Sequence, residues 1–112
     1  MRVTKTISVE AAHMLTKLPP GHKCGRLHGH SFKISITVEG SADERGFVVD
    51  YDEIKTAAHE IIALDHTYLN DTIENPTSEN IAIWCWDRLS LKGLCEIEVQ
   101  ETCTAKCSYS GK

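Results

Sequence analysis

Three histidines near the start of the chain have the types and spacing of a metal site. His28 and His30 flank Gly29, and residues two apart in an extended segment point to the same face, so both imidazoles can bind one ion. His13 closes an earlier extended segment and would lie opposite this pair in an antiparallel arrangement. Three neutral imidazoles leave the fourth tetrahedral position of zinc open, which is typical of a catalytic site. The alternative is three unrelated surface histidines, because short motifs recur by chance.

A cysteine in the preceding loop is a candidate nucleophile or base. Cys24 lies four residues before His28, in a loop that must pass close to the histidines. A bound cation, together with Lys23 and Arg26, would favour the reactive thiolate. The alternative is a buried loop cysteine without a chemical role.

Two further groups could move protons or bind a heterocycle. Asp65 and His66 are adjacent, which usually indicates a polar turn but also suits an acid–base pair. Glu101 ends a predicted strand, where we expect its carboxylate to face away from the core. Such a carboxylate can accept paired N–H donors from a guanidine-like ring.

The pattern of the whole chain predicts the elements that position these residues. Alternation of apolar and polar residues predicts strands over residues 2–9, 32–38, 95–99 and 105–109. An apolar stripe over residues 54–62 predicts a helix capped by Asp50 or Asp52, and Thr77 is the expected N-cap of a second helix. The order predicts one α+β domain over residues 1–112, with a four-stranded antiparallel sheet. Its two open edges favour pairing with further copies of the chain.

Composition limits the partners of this domain. The net charge of −4 argues against nucleic-acid binding and against a basic membrane patch. No apolar run is long enough to cross a membrane. Because the N-terminus lacks the apolar block of a signal peptide, we expect the five cysteines to be reduced in the cytoplasm.

Six segments together resemble the 6-pyruvoyltetrahydropterin synthase family, and most closely its 6-carboxytetrahydropterin synthase branch. The segments are AAH at 11–13, CGRLHGH at 24–30, GFVVDY at 46–51, LDHTYLN at 64–70, NPTSEN at 75–80 and ET at 101–102. The branch rests on one spacing, since three residues separate Cys24 from His28, as in the carboxytetrahydropterin branch. The pyruvoyl branch typically has five.

The resemblance implies a tunnelling fold, in which a four-stranded antiparallel sheet carries two helices on one face. Its members assemble into barrels, usually homohexamers. It implies that His13, His28 and His30 bind Zn²⁺, although three imidazoles would also accept iron or cobalt. It further assigns catalysis to Cys24, Asp65 and His66, the last two reaching the site from a neighbouring subunit. Finally, it implies that the pterin ring is anchored at Glu101 and Thr102.

The implied activity is that of a zinc-dependent carbon–carbon lyase. It converts 7,8-dihydroneopterin triphosphate to 6-carboxy-5,6,7,8-tetrahydropterin, acetaldehyde and triphosphate, a step of queuosine or other 7-deazapurine biosynthesis. Lys17, Lys23 and Arg26 are candidates for holding the triphosphate. Two alternatives stay open: a 6-pyruvoyltetrahydropterin synthase with the same site, and a non-catalytic module that binds zinc or pterin.

Overall fold

A computed structural model describes all residues from Met1 to Lys112. Its strands are β1 (Arg2–His13), β2 (His28–Glu39), β3 (Thr67–Tyr68), β4 (Leu94–Thr102) and β5 (Ala105–Tyr109). Its helices are α1 (Tyr51–Ala57), α2 (His59–Ile62) and α3 (Ser78–Asp87). The strands form one sheet in the order β3-β1-β2-β4-β5. The prediction of an α+β fold is confirmed.

The sheet has five strands rather than the predicted four. The additional strand, β3, is only two residues long and runs parallel to β1, with Thr67 and Tyr68 opposite Ala11 and Ala12. All other pairings are antiparallel. The prediction missed β3 because two residues are too few to show an alternation of period two.

The helices differ from prediction in one respect. Asp50 and not Asp52 caps α1, accepting the backbone N–H of Asp52 at 2.9 Å, and Thr77 caps α3 as predicted. The predicted first helix is interrupted at Ala58, whose φ and ψ are −90° and 16°, so the structure has three helices. The apolar stripe runs through this break unchanged, which is why the sequence did not reveal it. None of the three helices combines the length and the apolar character that crossing a membrane requires.

The register of β1 and β2 determines which residues enter the core. Val9 lies opposite Phe32 and Ile7 opposite Ile34, and all four side chains are buried. The helices cover this face of the sheet with buried residues that include Ile54, Ile61 and Ile81, and β4 adds Ile97 and Val99. Since side chains alternate along a strand, the same face continues to the ends of β1 and β2 where the histidines lie.

Candidate functional site

The three predicted histidines meet at one end of the sheet. His13 of β1 lies directly opposite His28 of β2. His30 lies opposite Ala11, and this pair is two residues farther into the sheet. His13 is fully buried, whereas His28 and His30 are half-buried. Together with Glu101 they form a group whose ligand atoms all lie within 4.8 Å of one another. These four residues could hold a metal ion.

Two main-chain carbonyls fix the orientation of the imidazoles. His13 Nδ1 lies 2.8 Å from the carbonyl oxygen of Pro76, and His28 Nδ1 lies 2.7 Å from that of Arg26. A carbonyl oxygen can only accept a hydrogen bond, so both Nδ1 atoms must carry hydrogen. In the neutral rings Nε2 therefore has the free lone pair. Hydrogen bonds of this kind typically orient metal-binding histidines.

The two free lone pairs face each other. His13 Nε2 and His28 Nε2 are 2.9 Å apart, and neither neutral ring has a hydrogen left to place between them. Burial lowers the pKa of His13, which opposes protonation of this ring. Protonation would otherwise supply a hydrogen between the two nitrogens and remove their repulsion. A cation bound by both nitrogens removes the repulsion, so the donor set fits a metal ion.

Glu101 belongs to this group, which corrects the prediction that its carboxylate faces away from the core. Its Oε1 lies 3.3 Å from both His13 Nε2 and His30 Nε2. Glu101 follows Ile97 and Val99 at intervals of two and therefore shares their face of the sheet. Ligand atoms around a tetrahedral zinc ion are separated by about 3.3 Å, as follows from Zn–N bonds of about 2.0 Å. At these distances the carboxylate could serve as a further ligand beside the histidines.

Two asparagines hold the segment that follows His13. Asn70 Oδ1 accepts the backbone N–H of Met14 at 2.9 Å, and Asn70 Nδ2 donates to the Met14 carbonyl at 2.8 Å. Asn75 Oδ1 accepts the backbone N–H of Thr16 at 3.2 Å. Since Pro76 follows Asn75, the start of α3 and the end of β1 are fixed to each other at His13.

Cys24 shares a cavity with part of the metal-ligand group, which consists of His13, His28, His30 and Glu101. It lies in a short 3₁₀ turn over Lys23–Gly25. Its side chain lines a cavity of about 380 Å³ together with Lys23, His28, His30, Glu101 and Thr102. That volume is within the usual range for small-molecule pockets. The structure therefore brings the predicted thiol, two of the histidines and both predicted pterin-binding residues to one cavity.

Asp65 and His66 lie elsewhere in this single chain. His66 lines a second cavity, of about 560 Å³, together with Glu10 and Ser31 from the open face of the sheet. Asp65 accepts the Glu10 backbone N–H at 2.7 Å and contacts His66 Nδ1 at 2.8 Å. These contacts hold His66 at a φ of 59° with an exposed ring. Cys24 and His66 line different cavities, and His30 borders both.

The candidate triphosphate-binding residues are also dispersed. Lys23 lines the cavity of Cys24, whereas Arg26 lines a neighbouring one and Lys17 lines neither. Sequence reasoning missed the supporting groups altogether, namely the carbonyls of Pro76 and Arg26 and the amide of Asn70. Every residue has a carbonyl, so no residue type could have indicated the first two.

The chain is similar to known proteins over most of its length. Residues 2–112 match the family model of 6-pyruvoyl tetrahydropterin synthase. A 6-carboxy-5,6,7,8-tetrahydropterin synthase of Synechocystis is 40% identical over 96% of this chain and 91% of its own. A protein of Archaeoglobus fulgidus that carries the same name provisionally is 45% identical over 78% of this chain and 74% of its own. The solved structure of Caenorhabditis elegans 6-pyruvoyl tetrahydropterin synthase superposes with a TM-score of 0.88 at 25% identity, covering 100% of this chain and 96% of that one. The chain belongs to the 6-pyruvoyl tetrahydropterin synthase family.

Proposed function

We propose that the protein is a 6-carboxy-5,6,7,8-tetrahydropterin synthase. The observation that carries the proposal is the cavity shared by Cys24, two histidines of the metal-ligand group, Glu101 and Thr102. The names of two relatives at 40% and 45% identity support the same activity. In this reaction 7,8-dihydroneopterin triphosphate takes up water and yields 6-carboxy-5,6,7,8-tetrahydropterin, acetaldehyde and triphosphate. We propose that the product enters the biosynthesis of queuosine or another 7-deazapurine in the cytoplasm.

The proposed metal is Zn²⁺, held by His13, His28 and His30. A set of three imidazole nitrogens suits zinc, and iron and cobalt are the competing ions. When bound, the ion would acidify the side-chain hydroxyls of the substrate and polarise a carbonyl formed from them. Glu101 lies beside His13 and His30 in the free protein, and we propose that it turns to the pterin when substrate enters.

The chain's own groups account for the proton transfers. As a thiolate, Cys24 would accept a proton from the substrate side chain, and His66, oriented by Asp65, would donate or accept protons on the opposite side. Glu101 would accept the paired N–H donors of the pterin ring, with Thr102 beside it. Lys23 is the cation in the cavity that could pair with the triphosphate. Oxidation of the substrate side chain balances reduction of the ring, so the reaction requires no redox cofactor.

We further propose that the active form is a homo-oligomer, a hexamer by resemblance. Cys24 and His66 line different cavities of one chain, so within one copy the base and its partner do not face a common substrate. The open edge of β1 before Ala11 and the outer edge of β5 leave backbone groups available for pairing with further copies. A second copy that supplies Asp65 and His66 would complete the site.

The second candidate is a 6-pyruvoyltetrahydropterin synthase, which uses the same site without carbon–carbon cleavage. The similarity to the Caenorhabditis elegans structure supports this second candidate. Only the products separate the two activities.

The deciding experiment incubates zinc-loaded protein with 7,8-dihydroneopterin triphosphate and identifies the products by mass. We expect carboxytetrahydropterin and acetaldehyde, lost in Cys24→Ala and kept in Cys103→Ala, a matched variant at an exposed cysteine. A pyruvoyl product would assign the sister activity. A protein that binds zinc and pterin without turnover would refute both enzymes and favour a binding module.

A further inference from the structure

The short turn that carries Cys24 is capped by a histidine side chain. His22 Nδ1 accepts the backbone N–H of Cys24 at 3.1 Å, and the His22 carbonyl accepts the N–H of Gly25 at 3.0 Å. Caps of this kind are usually formed by serine, threonine, asparagine or aspartate. Here the capping acceptor is the imidazole of His22, which is exposed and forms no ion pair.

Apart from this side-chain cap, the turn is held by backbone hydrogen bonds, among them that of the Arg26 N–H to the Lys23 carbonyl at 3.2 Å. None of the residues from Lys23 to Gly25 is buried, so packing does not fix the turn. The Cys24 carbonyl accepts the backbone N–H of Leu15 at 3.1 Å. The peptide groups of Cys24 are therefore fixed by two hydrogen bonds, and only the one from His22 depends on a side chain.

We propose that His22 is a positioning residue for the Cys24 thiol. By fixing the Cys24 amide it sets the direction in which the side chain enters the cavity shared with His28, His30 and Glu101. This inference rests on the proposed function, in which Cys24 moves the proton. His22 itself does not line that cavity; it lines the neighbouring one that Arg26 also lines.

The chain offers a matched set of variants. In His22→Asn the amide oxygen takes a place close to that of Nδ1, so the cap is kept. In His22→Gln the oxygen is one bond farther from the backbone, and in His22→Ala the acceptor is gone. His59→Ala is the control, because His59 is also exposed and its Nδ1 makes only a local contact, 3.2 Å from the Thr56 carbonyl.

The test measures kcat and KM on zinc-loaded variants, together with hydrogen exchange of the Cys24 amide without substrate. We expect His22→Ala and His22→Gln to lower kcat by about three- to thirtyfold, the range that one lost capping bond spans, with KM and zinc content unchanged and the melting temperature lowered by no more than that one bond accounts for. Exchange of the Cys24 amide should accelerate in the same two variants. His22→Asn and His59→Ala should behave as the wild type.

Wild-type kcat in all three His22 variants would overturn the inference while the proposed function stands. An Asn variant as impaired as Ala would also overturn it, because the acceptor would then not be the cause. If the wild type has no turnover, the proposed function fails. Amide exchange still decides in that case whether His22 holds the turn.

Discussion

The side-chain amide of Asn70 satisfies both backbone polar groups of Met14, with distances of 2.9 Å to the N–H and 2.8 Å to the carbonyl oxygen. Met14 follows His13 directly, and the next residue, Leu15, donates its N–H to the Cys24 carbonyl. One asparagine therefore fixes the segment that connects the buried histidine to the loop of the thiol.

Asn70→Ala should weaken metal binding although Asn70 is not a ligand. Losing both contacts frees Met14, so the backbone beside His13 is held less tightly and His13 Nε2 is less precisely placed, although the Pro76 carbonyl still contacts Nδ1. The expected loss in zinc affinity is about 10- to 100-fold, as for other groups that orient metal ligands. Competition with a chromophoric chelator measures it. Asn70→Asp keeps an acceptor for the Met14 N–H but loses the donor, so its affinity should be intermediate; an affinity equal to wild type in both variants would contradict the prediction.

Removing the metal should abolish turnover and lower the melting temperature. Without a cation, the lone pairs of His13 and His28 repel each other at 2.9 Å inside the fold, and metal bound only by the folded state stabilises it. Calorimetry before and after chelation, and after adding back zinc, checks both effects. His13→Ala should lose zinc, whereas His59→Ala should retain it. An unchanged melting temperature after complete chelation would argue against a metal at this site.

Two inactive variants should restore activity when they assemble together. Cys24→Ala keeps His66, and His66→Ala keeps Cys24, so a site built from two copies can combine the intact halves. If copies mix at random in a closed ring, about a quarter of the sites will have both groups. Co-expression of the two variants with different tags, followed by an activity assay on doubly purified oligomers, measures the recovery. No recovery in such mixed oligomers would place the complete site within one copy.

The contact between Asp65 and Glu10 should stabilise the fold at neutral pH and be lost in acid. The Glu10 N–H first, and His66 second, lower the pKa of Asp65. A carboxylate with a lowered folded-state pKa contributes stability that is complete above its unfolded pKa, about 3.9, and disappears as pH falls below it. The difference in melting temperature between the wild type and Asp65→Asn should therefore be constant above about pH 5, and it should shrink below about pH 4. A difference in melting temperature that stayed the same below about pH 4 would contradict this cause.

The cysteines should differ strongly in their reactivity with iodoacetamide. Burial raises the pKa of Cys85 to about 12, and burial likewise raises that of Cys107. Cys103 is exposed in the turn between β4 and β5. Since the thiolate is the reactive form, Cys103 should be modified before Cys107, and Cys85 only after unfolding. Peptide mapping by mass spectrometry at pH 8 gives the order, and early modification of Cys85 would contradict it.

The sequence was sufficient for those features that a periodic pattern or a side-chain type encodes. Alternation predicted the four long strands, and Thr77 predicted the start of α3. Glu101 follows Ile97 and Val99 at intervals of two, and this spacing is enough to place its side chain on their face of the sheet, beside the histidines. By contrast, β3 is too short for a period, and the break at Ala58 leaves the apolar stripe intact. The separation of Cys24 from His66 depends on the three-dimensional course of two loops, which no local pattern describes.

The two histidines are oriented by main-chain oxygens of Pro76 and Arg26, and this has a consequence for how the protein tolerates change. A point substitution replaces a side chain but leaves the carbonyl in place, so single replacements at position 26 should spare the orientation of His28. Inserting or deleting one residue in the loop between β1 and β2 shifts the carbonyl itself. The hydrogen bond that orients His28 is thus robust to substitution at position 26 and fragile to changes in loop length.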